Sequence, residues 1–150
     1  MDITSLAISE QTDLLSYLRH NTTLFKNPDI HPYLDADIKV KQVRQKDIHP
    51  GQSYVYTHQL NFMENFDRAL QEKYKFSFLD QKGFITYKID GGETYTMYPP
   101  IVESTDDTLL LIDGTHRMTY ADRKNGWINV VIVKNVAKDI LPSILPIPGG

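Results

Sequence analysis

The stretch of sequence that decides the fold is LLLIDGTHRMTYADRKNGWINVVIV, residues 109–133. Its first four residues, 109–112, are all apolar, and such a short run predicts a buried strand. Asp113-Gly114 then turns the chain, because glycine adopts positive φ without steric cost. We predict that residues 115–124 form a helix of about three turns directly after this turn.

The second half of the stretch returns the chain to the sheet. The helix is expected to stop at Asn125-Gly126, a pair typical of a left-handed C-cap. The β-branched run that follows predicts a second buried strand over residues 128–133. A strand, a turn, a short helix and a strand make a compact unit, and its expected core residues are Met118, Ala121 and Trp127.

The rest of the chain predicts further helices and strands separated by loops. The prolines within residues 21–37 and the break at His49-Pro50-Gly51 indicate loops. The predicted elements are a helix at 8–20, a strand at 38–43, a helix at 58–74, and hairpin strands at 84–89 and 94–98 around a tight turn at 90–93.

These elements predict an α+β domain with a small mixed sheet, flanking helices and a β-hairpin/helix insertion. A length of 150 residues fits one globular domain. The expected parts are an N-terminal helix and loop at 1–37, a main domain at 38–136 with an insertion at 51–98, and a Pro/Gly-rich tail at 137–150.

The predicted helix at 58–74 has the clearest amphipathic pattern. Its apolar residues recur at steps of three and four, which predicts a buried face rather than a cofactor site. The members of this face are Leu60, Met63, Phe66, Ala69, Leu70 and Tyr74.

Composition disfavours several classes of protein. The formal net charge is −3 and the pI is about 5.9, whereas DNA-binding domains normally carry a basic surplus. The densest basic run, 39–46, has the spacing of a solvent-exposed strand face. The chain has no cysteine, which excludes disulfides and a cysteine nucleophile. No apolar run approaches the roughly 20 residues that cross a bilayer, so we expect a cytoplasmic protein without a membrane partner.

The corner at residues 113–117 is the most informative place for function. A helix N-terminus has unpaired N–H groups and a partial positive charge, so cations are normally avoided there. This helix nevertheless begins with His116 and Arg117 in its first turn. A bound phosphate would remove the conflict, because the backbone, the Thr115 hydroxyl and Arg117 all donate hydrogen bonds, while Gly114 allows a close approach.

Purely structural interpretations of this corner stay open at this stage. Asp113 or Thr115 caps the helix in one of them. In others Arg117 simply pairs with Asp113, and His116 is a buried histidine with its hydrogen bonds satisfied.

The same residues resemble a known superfamily. LIDGTHR at 111–117, the short helix, Asn125-Gly126 and the Val/Ile strand are similar to the hallmark of the ParB/sulfiredoxin superfamily. Pro99-Pro100-Ile101-Val102 resembles the P-I-V strand of that group, and 38–50 resembles its opening strand. The resemblance is good over about residues 98–136.

The resemblance implies that this corner binds nucleotides. Gly114, Thr115, His116 and Arg117 would then hold the phosphates. Sulfiredoxins carry a catalytic cysteine where this chain has Thr115, so their chemistry is excluded. The chain lacks the G-E-R-R box and the helix-turn-helix of chromosome-partitioning ParB proteins, so we do not expect a complete ParB clamp. It is most similar to the stand-alone D-G-x-H-R branch, which includes free-serine kinases and ParB N-terminal nuclease-like domains.

The leading hypothesis is therefore an ATP- or ADP-dependent phosphotransferase that acts on a small molecule or an amino acid. The expected catalytic residues are Asp113 as base or Mg²⁺ ligand, His116 for charge neutralisation, and Glu103 as the second candidate base. A single carboxylate is compatible with Mg²⁺, which takes most of its ligands from phosphate and water. Asp106 and Asp107 are interpreted as a solvated turn.

Two rival hypotheses are retained. One is a non-catalytic nucleotide sensor or regulatory module, and the other is a ParB-like nuclease or DNA-binding protein, which the acidic pI disfavours. A homodimer is left open. The remaining histidines lack metal-ligand spacing. A group of tyrosines is interpreted as packing within the insertion: Tyr54, Tyr56, Tyr87, Tyr95 and Tyr98.

Overall fold

The structure is a computed structural model that describes residues 1–20, 33–50 and 54–134. Within these ranges the chain forms seven strands and three α-helices. The strands are β1 (Ile3–Ile8), β2 (Asp37–Arg44), β3 (Ile85–Ile89), β4 (Thr94–Met97), β5 (Ile101–Thr105), β6 (Thr108–Asp113) and β7 (Trp127–Lys134). The helices are α1 (Gln11–His20), α2 (Thr57–Tyr74) and α3 (Thr115–Asp122).

The strands form two sheets. A four-stranded sheet has the order β2-β7-β5-β6, in which β5 and β7 are parallel and the other pairs are antiparallel. A three-stranded antiparallel sheet has the order β1-β3-β4. The α+β class with a small mixed sheet, flanking helices and a hairpin in the insertion is therefore confirmed.

Strand β7 lies in the middle of the larger sheet and is buried on both faces. Val130 and Ile132 pack into the core beneath α2 and α3, whereas Val131 and Val133 pack against α1 on the other face. A strand covered on both faces needs apolar residues at every position. This burial explains why residues 128–133 are almost continuously apolar.

Strand β1 was not predicted. The predicted helix begins at Ile8, but Ile8 ends β1 and α1 begins at Gln11. In β1 the side chain of Ile3 is buried and most of the others are exposed, so the alternation that marks a half-buried strand is absent. Its strand conformation depends on pairing with β3, which lies about 80 residues further along the chain.

Two expected core residues lie at the surface. Trp127 is 38% exposed, and the Arg44 guanidinium stacks over its ring. The distance from Arg44 Cζ to the Trp127 ring centroid is 4.9 Å. Tyr74, in the last turn of α2, is 37% exposed. Both residues end or begin an element, where the covering layer stops. Met118 and Ala121 are buried as expected.

The turns largely follow the sequence prediction. Gly126 has a φ of 81°, as expected for the turn at Asn125-Gly126, and its N–H donates to Ala121 O. The helix itself ends earlier than predicted, at Asp122, and its C-cap residue Arg123 is right-handed. Asp106 and Asp107 form an exposed turn between β5 and β6. Residues 21–32 of the predicted loop at 21–37, Gly51 and the tail at 137–150 lie outside the described residues. The last residue of that loop, Asp37, begins β2. In the part that is described, no helix has the length and apolarity needed to span a membrane.

A buried carboxylate joins α2 to the rest of the core. Asp67, 1% exposed, accepts hydrogen bonds from Gln71 on its own helix, from the Ser77 hydroxyl and Phe78 N–H after that helix, and from the Tyr120 hydroxyl of α3. Burial and the contact with this carboxylate raise the pKa of Tyr120. The arrangement fixes the position of α3 relative to α2.

We expect Asp67→Ala to lower the free energy of unfolding by about 3 kcal/mol, because it leaves several buried donors without an acceptor. Urea unfolding followed by circular dichroism measures the change. Glu72→Ala, an exposed carboxylate on the same helix, is the matched control and should stay within about 0.5 kcal/mol of the wild type. Equal stability of both variants would contradict the role given to Asp67.

Candidate functional site

A cleft of about 410 Å³ opens at the N-terminus of α3. One wall is the end of β6 and the first turn of α3, and the other is the segment that leads into α2. The predicted phosphate residues Gly114 to Arg117 and the predicted catalytic residue Asp113 all line it. The other lining residues are Tyr54, Tyr56, Gln59, Met63 and Ile112.

A bulge at the end of β6 orients Asp113. Leu111 pairs with Val102 and Asp113 pairs with Ile101, so Ile112 is the extra residue. The extra residue interrupts the alternation of the strand, and Asp113 therefore shares the sheet face of Ile101 rather than that of Leu111. The carboxylate thus comes to lie near Tyr98, whose pKa it raises.

The backbone at position 114 requires a residue without a side chain. Its φ of 111° is in the left-handed region, and a Cβ at this position would lie 2.7 Å from Pro100 Cβ. The space that the missing side chain leaves is therefore filled by Pro100. The expectation that a phosphate approaches the backbone of Gly114 stays a prediction, and Gly114 does line the cleft.

Helix α3 has no side-chain cap at its N-terminus. Its N-cap residue is Gly114, so the interpretation in which Asp113 or Thr115 caps the helix is wrong. The first hydrogen bond of the helix runs from Met118 N–H to Gly114 O. The N–H groups of residues 115–117 have no acceptor within the helix, as is usual for a first turn.

Arg117 is buried at the base of the cleft, with 9% of its surface exposed. Its Nη2 lies 3.7 Å from Asp113 Oδ2, and the guanidinium carbon lies 5.9 Å from the Tyr98 ring centroid. The pairing with Asp113 that was considered from the sequence is therefore present. It leaves Nη1 buried and without a hydrogen-bond partner in the described chain.

Burial acts on the pKa values of both groups that surround Asp113. It lowers the pKa of Arg117, while the negative charge of Asp113 opposes this change. An arginine stays protonated at neutral pH even so, because its ordinary pKa is above 12. Burial, together with Asp113, raises the pKa of Tyr98, so this hydroxyl stays neutral at pH 7.

Glu103 is not part of the cleft. It is buried on β5, and its Oε2 accepts a hydrogen bond of 2.9 Å from the Tyr33 hydroxyl. Burial and the contact with Glu103 raise the pKa of Tyr33. The structure therefore brings Asp113, His116 and Arg117 together and leaves Glu103, the second candidate base, outside their group.

The opposite wall contains residues that the sequence analysis assigned to packing. Tyr54 is 83% exposed and Tyr56 and Tyr95 are each 52% exposed, so the packing interpretation is wrong for these three, whereas Tyr87 is buried as expected. Tyr56 N–H donates to His116 Nε2 over 3.0 Å, and the two rings are stacked with centroids 5.9 Å apart. The sequence shows two tyrosines, Tyr54 and Tyr56, just before α2. This pattern does not tell whether their rings are exposed or buried.

The contact with Tyr56 defines the protonation state of His116. An imidazole nitrogen that accepts an N–H has no proton, so the neutral ring carries its proton on Nδ1. Burial lowers the pKa of His116, and the nearby His58 and Arg117 lower it further. The ring is therefore neutral at pH 7, and Nδ1–H remains a donor.

Comparison with known proteins identifies a family but no subgroup within it. The family model described as ParB CE domain matches residues 13–150. No curated protein and no solved structure matches the chain.

The contact between Tyr56 and His116 should respond to pH. The folded protein has the lower histidine pKa, so it binds a proton less readily than the unfolded chain, whose histidine pKa is about 6.5. The stabilisation by this contact is complete above about pH 6.5 and is lost as the pH falls below it. Urea unfolding at pH 8, 6 and 5 should show a larger loss for the wild type than for His116→Gln, whose side chain accepts the same N–H without titrating.

The Tyr56 amide proton provides a direct readout of this titration. Its chemical shift should move with a midpoint below pH 6.5 in the wild type. His20→Gln, an exposed histidine in α1, is the control and should keep both the amide titration and the stability profile of the wild type. A midpoint at or above 6.5 would contradict the lowered pKa.

Proposed function

This chain belongs to the ParB CE domain family, and we propose that its cleft at the N-terminus of α3 binds the phosphate groups of a nucleotide. The observation that carries the proposal is the guanidinium of Arg117. Arg117 lines the cleft, its side chain is buried, and its Nη1 has no acceptor among residues 1–20, 33–50 and 54–134.

The location of this cation has an energetic cost in the free protein. A positive side chain in the first turn opposes the helix dipole by about 0.3–1 kcal/mol. A buried donor without a partner costs a further 1–3 kcal/mol, roughly, and more when it is charged. An anion in the cleft offsets both terms, because it accepts from Nη1 and interacts favourably with the helix N-terminus.

Several other donors surround the same position. They are the free N–H groups at the start of α3, the Thr115 hydroxyl and His116 Nδ1–H. A phosphate has enough acceptor oxygens to engage all of them. The cleft volume of about 410 Å³ falls in the range of small-molecule sites.

Arg117→Met tests the phosphate site. We expect the variant to be at least as stable as the wild type without ligand, because an apolar chain of similar length replaces a buried charge with unmet hydrogen bonds. Pyrophosphate or a nucleotide at a hundred times its dissociation constant should stabilise the wild type by about 2.7 kcal/mol and the variant not at all. Thermal unfolding with pyrophosphate, ATP, ADP, CTP and GTP measures both effects.

Arg123→Met is the matched control, since Arg123 is exposed just after the same helix. It should keep the full response to ligand. Equal stabilisation of Arg117→Met and the wild type, or no stabilisation of the wild type by any of these anions, would contradict the proposal.

The reaction we propose for this site is phosphoryl transfer from the nucleotide to a hydroxyl group of a small molecule or amino acid. The acceptor oxygen forms a bond to the terminal phosphorus, and the bond between that phosphorus and the bridging oxygen breaks. The hydroxyl proton passes to the Asp113 carboxylate, and the shortened nucleotide leaves. Arg117 and the helix N-terminus stabilise the charge on the transferring group.

Asp113 also suits a magnesium ion bound together with the nucleotide. Its side chain is 40% exposed in the cleft, and one carboxylate with phosphate oxygens is a common Mg²⁺ arrangement. No group of three or more potential metal ligands occurs within the described ranges, so the phosphates would have to supply further ligands. Bound Mg²⁺ would supply neutralisation of phosphate charge.

Asp113→Asn separates catalysis from binding. Nucleotide binding should persist, because removal of a negative charge does not weaken the attraction of Arg117 for phosphate. Turnover should fall by about 10²-fold or more, the usual contribution of a general base. Phosphorus NMR of ATP or ADP with Mg²⁺ and a panel of hydroxyl acceptors, free serine included, measures turnover.

If the wild type binds a nucleotide but does not turn it over, the proposed reaction is contradicted. The function that then remains is that of a nucleotide sensor. Retention of duplex DNA that falls steeply with salt, without nucleotide binding, would replace the proposal with a DNA-acting function.

A further inference from the structure

Two aromatic rings are exposed on the wall of the cleft that faces α3. Tyr54 is 83% exposed and, within the described residues, contacts no other ring, while Tyr56 is 52% exposed. Exposed tyrosine rings are costly to leave in water when a burial site exists, since each presents a large apolar surface. Both rings line the same cleft as Arg117.

The backbone before α2 presents these rings on one side. Tyr54 and Tyr56 line the cleft and Val55 between them does not, which is the alternation of extended chain. Tyr56 has the extended angles φ −103° and ψ 126°. Residues two apart in extended chain are separated by about 6.6 Å. One planar ring between two others needs about 7 Å, since stacked carbon atoms lie about 3.5 Å apart.

The aromatic wall is connected to the phosphate side of the cleft through His116. This ring stacks on Tyr56 and receives its N–H, and the next residue in the chain is Arg117. A ligand that has an anionic group at Arg117 therefore meets the tyrosines with its remaining part. A nucleotide has this composition, with phosphates at one end and a planar aromatic base at the other.

We propose that Tyr54 and Tyr56 form a stacking subsite for the base of a mononucleotide whose phosphates bind at α3; this subsite rests on the proposed function. The base stacks on the exposed ring of Tyr54 and against the edge or face of Tyr56. A stacking subsite makes the protein select nucleotides over inorganic phosphates, because phosphates alone gain nothing from the tyrosines.

The same features favour a single nucleotide over a nucleic-acid strand. Proteins that bind single strands combine stacking rings with a basic groove that follows the backbone. Among the described residues that line the cleft, Arg117 is the only one with a positive charge at pH 7, and the chain carries a net charge of −3. The cleft therefore provides one position for a phosphate group, whereas a nucleic-acid strand needs a row of such positions.

The test compares ligands with and without a base. Isothermal titration calorimetry measures the binding of ATP, GTP, CTP, UTP and inorganic tripolyphosphate to the wild type and to Tyr54→Leu. We expect Tyr54→Leu to weaken the binding of the preferred nucleotide by about 5- to 150-fold, which corresponds to one lost stacking contact, and to leave tripolyphosphate binding unchanged. Tyr54→Phe keeps the ring and should retain wild-type nucleotide affinity.

Tyr95→Leu is the matched control. Tyr95 lies on β4, outside the cleft, and is exposed to the same extent as Tyr56. It should bind every ligand as the wild type does. A second readout is the NMR spectrum of the bound nucleotide. Its base protons should shift upfield with the wild type and with Tyr54→Phe, and much less with Tyr54→Leu.

The outcomes separate this subsite from the function on which it rests. Equal nucleotide affinity of Tyr54→Leu and the wild type would overturn the subsite and leave the phosphate site intact. Wild-type binding of neither nucleotide nor tripolyphosphate would overturn both proposals. An oligonucleotide that binds more tightly than any mononucleotide, with a steep salt dependence, would overturn the mononucleotide in favour of a strand.

Discussion

The structure depends on how it holds one buried cation. Arg117 lies in the first turn of α3, where the helix dipole disfavours a positive charge, and the surrounding protein removes most of its water. Asp113 and the Tyr98 ring offset part of this cost from one side. The residue lines the cleft, and its Nη1 is buried and unbonded by the described residues. Such an arrangement is stable only because the rest of the domain keeps both the helix and the strand in place.

Three features of the fold maintain that geometry. The bulge at Ile112 turns Asp113 toward Tyr98, and the left-handed Gly114, packed on Pro100, directs the chain from β6 into α3. Asp67 joins α2 to α3 through the Tyr120 hydroxyl. These contacts come from four separate segments, so the position of the α3 N-terminus is a property of the whole core. A rigid frame of this kind allows donors to point at a ligand position before the ligand arrives.

The opposite wall of the cleft comes from the insertion that separates the first strand of the main sheet from β5. It contacts the α3 corner through the Tyr56 N–H and His116, a hydrogen bond that needs a neutral imidazole. This wall contributes exposed aromatic rings, whereas the α3 side contributes donors and positive charge. The two sides have complementary chemistry, and their combination in one cleft underlies both proposals. The family match by itself extends no further than the domain type.

The sequence by itself determined the α3 corner and the strands on either side of it. Residues 109–133 contain an apolar strand, a turn glycine, a helix and a left-handed glycine after it within one local stretch. Local patterns of this kind can be predicted from the sequence without knowledge of tertiary contacts. Only the tertiary structure decided that β1 is a strand, because it pairs with β3 across about 80 residues and shows no alternation of its own. The exclusion of Glu103 from the cleft, the exposure of Tyr54 and Trp127, and the lack of a partner for Arg117 Nη1 among the described residues were decided in the same way. Each of these features depends on which surfaces other segments of the chain cover. The periodicity of apolar residues indicates which residues can be buried, but not which neighbouring segment buries them.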